Sequence, residues 1–173
     1  MKTFDDKIVV KFTVNDRERE VLTAPNKTLL EVLRSDLGLT GTKHGCDDSN
    51  CGVCTIIMNG NATKACCTLV GQAEGSEIVT IEGLETEEHG LHPLQKSFIE
   101  TFAIQCGFCT PGMILSGKAL LDENPNATED DIREALHGNM CRCTGYKKIT
   151  EAIEVARDEM NAVSSKEKIS VNS

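Results

Sequence analysis

The sequence predicts an α+β protein made of two small domains in series, the first β-rich and the second helical. Three observations predict it: β-branched runs joined by tight-turn dipeptides fill the first half, proline-opened amphipathic runs fill the second, and cysteines cluster in both. The chain has 173 residues, of which 39% are hydrophobic, enough for two globular cores but only thin ones. Aromatic residues make up 3% and Trp is absent. Such cores lean on Val, Ile and Leu and on a metal or covalent staple.

In chain order, residues 8–14 (IVVKFTV) form a strand, Asn15-Asp16 a turn, and residues 20–23 the returning strand of a hairpin. Beyond Pro25, Thr28 and Glu31 have the spacing of a capping box. The helix they open carries Leu29, Leu30, Val32, Leu33 and Leu37 and stops at Gly38. Residues 40–54, rich in Gly, Asp, Ser and Asn, read as a loop. Strands at 55–58 and 62–69 flank Asn59-Gly60, a strong hairpin turn, and residues 78–81 add another strand. Acidic residues and glycines over 82–90 interrupt the pattern and mark a linker. Pro93 then opens a helix bearing Leu94, Phe98, Ile99 and Phe102, and Pro111 opens one bearing Met113, Ile114, Ala119, Leu120 and Leu121. Thr128 with Asp131 caps a third, and a fourth runs from about Ile149 through Ile153, Val155 and Ala156 to Met160. The divisions are therefore a first domain over 1–82, a linker over 83–92, a helical domain over 93–163 and a polar tail over 164–173, expected to be disordered.

Nine cysteines are an odd number, and the N-terminus, Met1 to Lys7, has no apolar run for a secretory signal or a membrane span. A reducing cytoplasm is the expected compartment, where clustered cysteines read as metal ligands or redox groups rather than disulfides. The net charge of −9 argues against nucleic acid as a partner, since neutralising phosphates takes a basic surface.

Cys46, Cys51 and Cys54 are spaced C-x4-C-x2-C, with Cys66 following after a strand-turn-strand passage. This is the plant-type [2Fe–2S] ligand pattern, in which a loop supplies three of four thiolates. Gly45 and Gly52 leave room for backbone amides to approach cluster sulfurs. A zinc site is the competing reading, but zinc sites usually present two C-x2-C pairs without a Gly-rich loop. Cys67 adjoins Cys66. On a strand the two side chains would point to opposite faces, so one aims at the cluster; Cys66 is read as the ligand and Cys67 as a packing thiol. The second set, Cys106 and Cys109 with Cys141 and Cys143, leaves zinc, a redox dithiol and an iron–sulfur cluster open on spacing alone. Pro111 places a helix N-terminus just after Cys109, whose dipole favours thiolate charge. His44, His89, His92 and His137 share no spacing and read as surface or loop residues.

The segments Gly45-Cys46, Cys51-Gly52-Val53-Cys54-Thr55, Gln105-Cys106-Gly107-Phe108-Cys109-Thr110-Pro111-Gly112-Met113 and Gly138-Asn139-Met140-Cys141-Arg142-Cys143-Thr144-Gly145-Tyr146 resemble the signatures of the small iron–sulfur subunit of the xanthine oxidase (molybdenum hydroxylase) family. The resemblance runs in order from about Lys7 to Met160. It implies a β-grasp plant-type ferredoxin domain followed by a four-helix domain. Cys46, Cys51, Cys54 and Cys66 would hold one [2Fe–2S] cluster, and Cys106, Cys109, Cys141 and Cys143 a second. It also implies a large subunit with a molybdopterin-type molybdenum cofactor and a medium subunit with FAD, assembled as a dimer of heterotrimers, with electrons relayed between them. By the same likeness Gln105 and Cys143 lie next to the pterin, and no substrate site lies on this chain. Two departures fall in the first loop: Val53 stands where Ala is usual, and Ser49-Asn50 replaces a frequent Gly, with Asn50 expected to take a left-handed conformation. The alternatives are a free-standing ferredoxin-like electron carrier, which leaves the helical half without a task, and a zinc-stapled interaction protein.

Overall fold

Two hairpins open and close the first half of the chain, and the turn residues decide both. The computed structural model describes residues 6–85 and 90–170. β1 (Ile8–Val14) pairs antiparallel with β2 (Arg17–Thr23) from Ile8↔Thr23 to Val14↔Arg17. Asn15 and Asp16 between them have φ of 50° and 60°, the left-handed pair that a two-residue turn of matching twist requires. β3 (Thr55–Met58) and β4 (Asn61–Lys64) repeat the device through Asn59 and Gly60. β5 (Glu77–Val79) lies between the hairpins, parallel to β1 and antiparallel to β3, giving the order β2-β1-β5-β3-β4.

α1 (Leu29–Glu31) starts at the Thr28/Glu31 capping box, widens into a π-helical turn over Val32–Asp36, and ends before Gly38 at φ +72°. Leu29, Leu30, Val32 and Leu33 are fully buried against Val10, Phe12, Val21, Ile56 and Ile78 of the sheet, forming one core. β3 serves two cores at once. Ile56 points into this first core while its neighbour Ile57 joins the second, because adjacent strand residues face opposite ways. That second core belongs to α2 (Pro93–Glu100), α3 (Thr110–Glu123), α4 (Glu129–Leu136) and α5 (Lys147–Ser170). Leu94, Phe98, Met113, Leu115, Ile132, Ile149 and Ile153 fill it. Thr128 and Asp131 cap α4 as expected, and His92 caps α2 by accepting from the Leu94 amide at 3.2 Å. No helix of the described residues is long and apolar enough to cross a membrane.

Four expectations need correction. The strand expected over 62–69 ends at Lys64, and Ala65–Cys67 and Val70–Ala73 are 3-10 turns. The backbone there has found other partners: the Ala65 amide donates to Cys54, Leu29 donates to the Thr68 carbonyl, and Val70 donates to Lys27. The strand expected over 78–81 stops at Val79, because Asn15 reaches across to both the Thr80 amide and hydroxyl at 2.9 Å. Glu82, read as linker, instead accepts from the Gly41 amide at 2.7 Å and so anchors the base of the cysteine loop. Residues 86–89 of the expected linker, His89 among them, lie outside the described residues. Finally, α5 continues through Ser170, into what was expected to be a disordered tail. Residues 161–170 contain no Gly or Pro to stop it, and the Ser165 hydroxyl donates back to the Asn161 carbonyl. Residues 171–173 lie outside the described residues.

The second core is thin enough that one ring should matter. Phe98→Ala is expected to destabilise the protein by about 3–5 kcal/mol in a denaturant titration. Arg133→Ala, which removes only an exposed pair with Glu129, should cost no more than about 0.5 kcal/mol.

Candidate metal centres

Eight of the nine cysteines gather into two sets of four, and each set is organised as two pairs. In the first, the Cys46 and Cys51 thiols are in hydrogen-bonding reach of one another, as are those of Cys54 and Cys66. In the second, Cys109 pairs with Cys141, and Cys106 with Cys143, whose sulfurs are 3.6 Å apart. Among the described residues no three His, Cys, Asp or Glu side chains converge on a point that one metal ion could fill. The pairing of the thiols is what bears on the choice of metal. A lone tetrahedral zinc draws four thiolates together, whereas a two-iron, two-sulfide cluster takes two at each end.

Local structure explains how each thiol is placed. The first loop leaves α1 through Arg34, whose guanidinium donates to the Thr40 and Thr42 carbonyls at 2.9 and 2.7 Å. Ser49, rather than the expected Asn50, takes the left-handed conformation, at φ +67°, while the Asn50 side chain donates to Asp48. Cys66 and Cys67 sit on a 3-10 turn rather than a strand, so they do not point to opposite faces as expected: the sulfurs are 3.6 Å apart, and it is burial that distinguishes them, Cys66 being buried and Cys67 exposed. In the second set, Cys109 precedes the first turn of α3, and the Cys141 amide donates to the Tyr146 phenol at 2.9 Å, which holds the 141–146 loop closed.

Electrostatics divide the thiols within each pair. The Asp48 carboxylate is the strongest influence on Cys46 and pushes it up, but the backbone amides of Cys51 and Asp48 and the Cys51 thiol outweigh it, so Cys46 falls below the usual thiol range. Burial pushes Cys51 up, and burial with the Cys54 and Cys67 thiols takes Cys66 to about 12. Burial raises Cys141 as well, yet the Thr144 hydroxyl, 3.0 Å from its sulfur, and nearby amides bring it net downward. Cys109 is driven to about 12, first by burial and then by Cys141, so the helix N-terminus expected to favour its thiolate does not prevail over desolvation. Close, partly buried thiols cannot all ionise alone. A polycationic group between the pairs would let them, and backbone amides already point at their sulfurs; the donor sets fit [2Fe–2S] clusters.

The two sets meet at one joint. The Met140 amide, one residue from Cys141, donates to the Cys51 carbonyl at 2.9 Å. Asn139 is fully buried beside it: its Nδ2 donates to the Gly52 carbonyl at 3.1 Å, and its Oδ1 accepts from the Ser116 hydroxyl at 3.0 Å and the Lys64 ammonium at 3.3 Å. Gly52 was read as making room for backbone amides to approach the cluster sulfurs. Its φ is +70°, and an added Cβ would lie 2.1 Å from the Gly138 carbonyl, so its smallness also serves the joint. Asn139 and Lys64 escape a ligand search, because neither type nor spacing marks a residue that acts by filling a contact between halves. His44 and His137 are exposed and paired with Asp47 and Glu134, as surface residues.

Gln105, Cys106 and Cys143 are exposed, and Phe102, Ile104, Phe108 and Met140 are large apolar residues left open on the same two loops.

A family model described as a 2Fe-2S iron-sulfur cluster binding domain matches residues 12–77, and one described as a [2Fe-2S] binding domain matches residues 80–154. The nicotinate dehydrogenase small FeS subunit of Eubacterium barkeri is 50% identical over 151 residues, covering 87% of this chain and 96% of its own. The nicotine 6-hydroxylase small subunit of Paenarthrobacter nicotinovorans is 45% identical, covering 86% and 88%. Among solved structures, a chain of quinoline 2-oxidoreductase from Pseudomonas putida 86 is similar with a TM-score of 0.84 at 42% identity, covering 88% of this chain and 94% of its own.

Two glycines with positive φ should respond differently to a methyl group. Gly60→Ala, with open space around it, is expected to cost about 1 kcal/mol. Gly52→Ala should exceed about 3 kcal/mol in thermal unfolding, because strain and collision add, and hydrogen exchange at the Met140 amide should rise with it.

Proposed function

The chain belongs to the family of small iron–sulfur subunits of xanthine oxidase-type oxidoreductases, with two [2Fe–2S]-binding domains, and we propose that it is the electron-transfer subunit of a molybdenum-dependent hydroxylase or dehydrogenase. On this reading residues 1–82 are a β-grasp ferredoxin domain, 83–92 a linker and 93–163 a four-helix domain. Cys46, Cys51, Cys54 and Cys66 hold one cluster and Cys106, Cys109, Cys141 and Cys143 the other. The observation that carries the reading is the joint between the sets, where the Cys51 carbonyl and the Met140 amide share a 2.9 Å hydrogen bond. Tunnelling falls steeply with distance, and a relay needs its stations adjacent and rigid.

A bound [2Fe–2S] cluster takes up and releases one electron at a time. The chain's own residues do the rest. The thiols raised to about 12 would release their protons to solvent as the metal binds in their place, while the amides near Cys46 and Cys51 and the Thr144 amide beside Cys141 hydrogen-bond the sulfurs. The apolar rim of Phe102, Ile104, Phe108 and Met140 around Cys106 and Cys143 fits a surface that is buried on a partner. We assign that partner as the large molybdenum subunit, with Gln105 and Cys143 against its molybdopterin. Bound to that partner, the Cys106/Cys109/Cys141/Cys143 set would hold the centre nearer the pterin and the Cys46/Cys51/Cys54/Cys66 set the centre nearer FAD in the medium subunit, an order that would let electrons run from pterin to flavin. A dimer of such heterotrimers in the cytoplasm is the expected assembly, with substrate choice resting on the large subunit.

The test pairs two neighbours in the intact complex. Cys66→Ser should lose one cluster's iron and multiple turnover with an acceptor that takes electrons at the flavin, while substrate still reduces the second centre in one pass. Cys67→Ser should keep its full iron and its turnover. Iron loss in Cys67→Ser with Cys66→Ser intact would reverse the assignment.

A further inference from the structure

Lys64 holds its ammonium beside the first set of thiols, and nothing in the relay described above uses it. It ends β4, at the edge of the sheet, where a lysine can ordinarily reach water. Instead it is half-buried. Its ammonium donates to the Thr55 hydroxyl at 2.9 Å and to the buried Asn139 Oδ1 at 3.3 Å, and it lies beneath Gly138, where an added Cβ would come within 3.1 Å of it. Several other lysines of the described residues pair with carboxylates, Lys11 with Glu20, Lys27 with Asp36, Lys118 with Asp122 and Lys148 with Glu151, while Lys43 donates to the Thr40 carbonyl. Lys64 pairs with no carboxylate among the described residues. Thr55 directly follows Cys54, and Lys64 itself stands two residues before Cys66, so the ammonium is held beside the buried half of the first thiol set.

A half-buried cation served only by a hydroxyl and an amide oxygen is unfavourable unless a negative charge faces it. The thiols supply that charge when they are thiolates around a metal, and the loaded site becomes more negative by one unit on reduction. We propose that Lys64 is a fixed counter-charge for the Cys46/Cys51/Cys54/Cys66 centre, favouring its reduced form and biasing electrons toward it from the second centre. This rests on the relay reading. The contact with Asn139 matters to the argument, because it fixes the ammonium at the joint rather than leaving it to swing into solvent, where screening would erase the effect. A fixed charge at such range is worth about tenfold or more in the ratio of reduced to oxidised centre at a given ambient potential, about 59 mV per tenfold for a one-electron couple.

The experiment is a redox titration of the purified complex, following the EPR signals of the two centres separately, for the native protein and for Lys64→Gln, Lys64→Met and Lys64→Arg. Lys64→Gln keeps a donor for Thr55 and Asn139 but removes the charge, and Lys64→Met removes both. Both neutral variants should lower the reduced fraction of the first centre about tenfold at fixed potential, with a clearly smaller change at the second, and Lys64→Arg should restore the native value. A native potential in Lys64→Gln, or an equal shift at both centres, would overturn the proposal and leave Lys64 as a structural contact. If the native complex showed no [2Fe–2S] signals at all, the relay reading itself would fall instead.

Discussion

One hydrogen bond, from the Met140 amide to the Cys51 carbonyl, joins the two thiol sets, and much of the fold can be understood as the means of keeping it in place. For that bond to form, the loop after Cys51 must lie directly against the segment before Cys141, with no side chain between. Gly52 meets the need with a bare Cα at φ +70°. Gly112 does so from α3, where a Cβ would come within 2.4 Å of the Gly52 carbonyl. Asn139 then satisfies the backbone and side-chain groups trapped by the contact, which would otherwise be buried without partners. β3 contributes from beneath: Ile56 and Ile57 point into different cores, so one strand fixes the orientation of both halves.

The thiols pull against this rigidity until a metal is bound. Cys66 and Cys109, each taken to about 12, are held as neutral thiols by burial, and their neighbours Cys54 and Cys141 are close enough for ionisation of both to be costly. Cluster binding reverses that balance, and the free energy of binding becomes free energy of folding. This fits a chain with 3% aromatic residues and two thin cores. The surface ion pairs add little, being mostly exposed pairs one helical turn apart.

Much of this was legible in the sequence, and what was not has a common cause. Asn15-Asp16, Asn59-Gly60, and the Thr28/Glu31 and Thr128/Asp131 caps announce themselves because each acts within a few residues of chain. Cysteine spacing led to all eight gathered thiols for the same reason, with the motifs around them supplying the second set. The chain from Ala65 to Leu69 was misread as strand, since hydrogen bonds of Ala65 and Thr68 go to Cys54 and Leu29, which no local pattern reveals. Asn139 lay within a recognised motif, but its part as a clamp depends on Gly52, Ser116 and Lys64, each far away in sequence. Cys67 shows the same limit: it was expected to point away from Cys66 as on a strand, but on a 3-10 turn the two sulfurs stay 3.6 Å apart and differ in burial instead.

The central claim is that this chain carries two clusters held adjacent at a rigid joint. Low-temperature EPR of the fully reduced complex, with iron and acid-labile sulfide measured on the same sample, tests it most directly. The account predicts iron and sulfide for two [2Fe–2S] clusters per chain, and two distinct signals whose lines split as the temperature falls, because neighbouring spins on either side of the Cys51–Met140 bond interact. A colourless protein containing zinc, or two signals with no magnetic interaction between them, would contradict it.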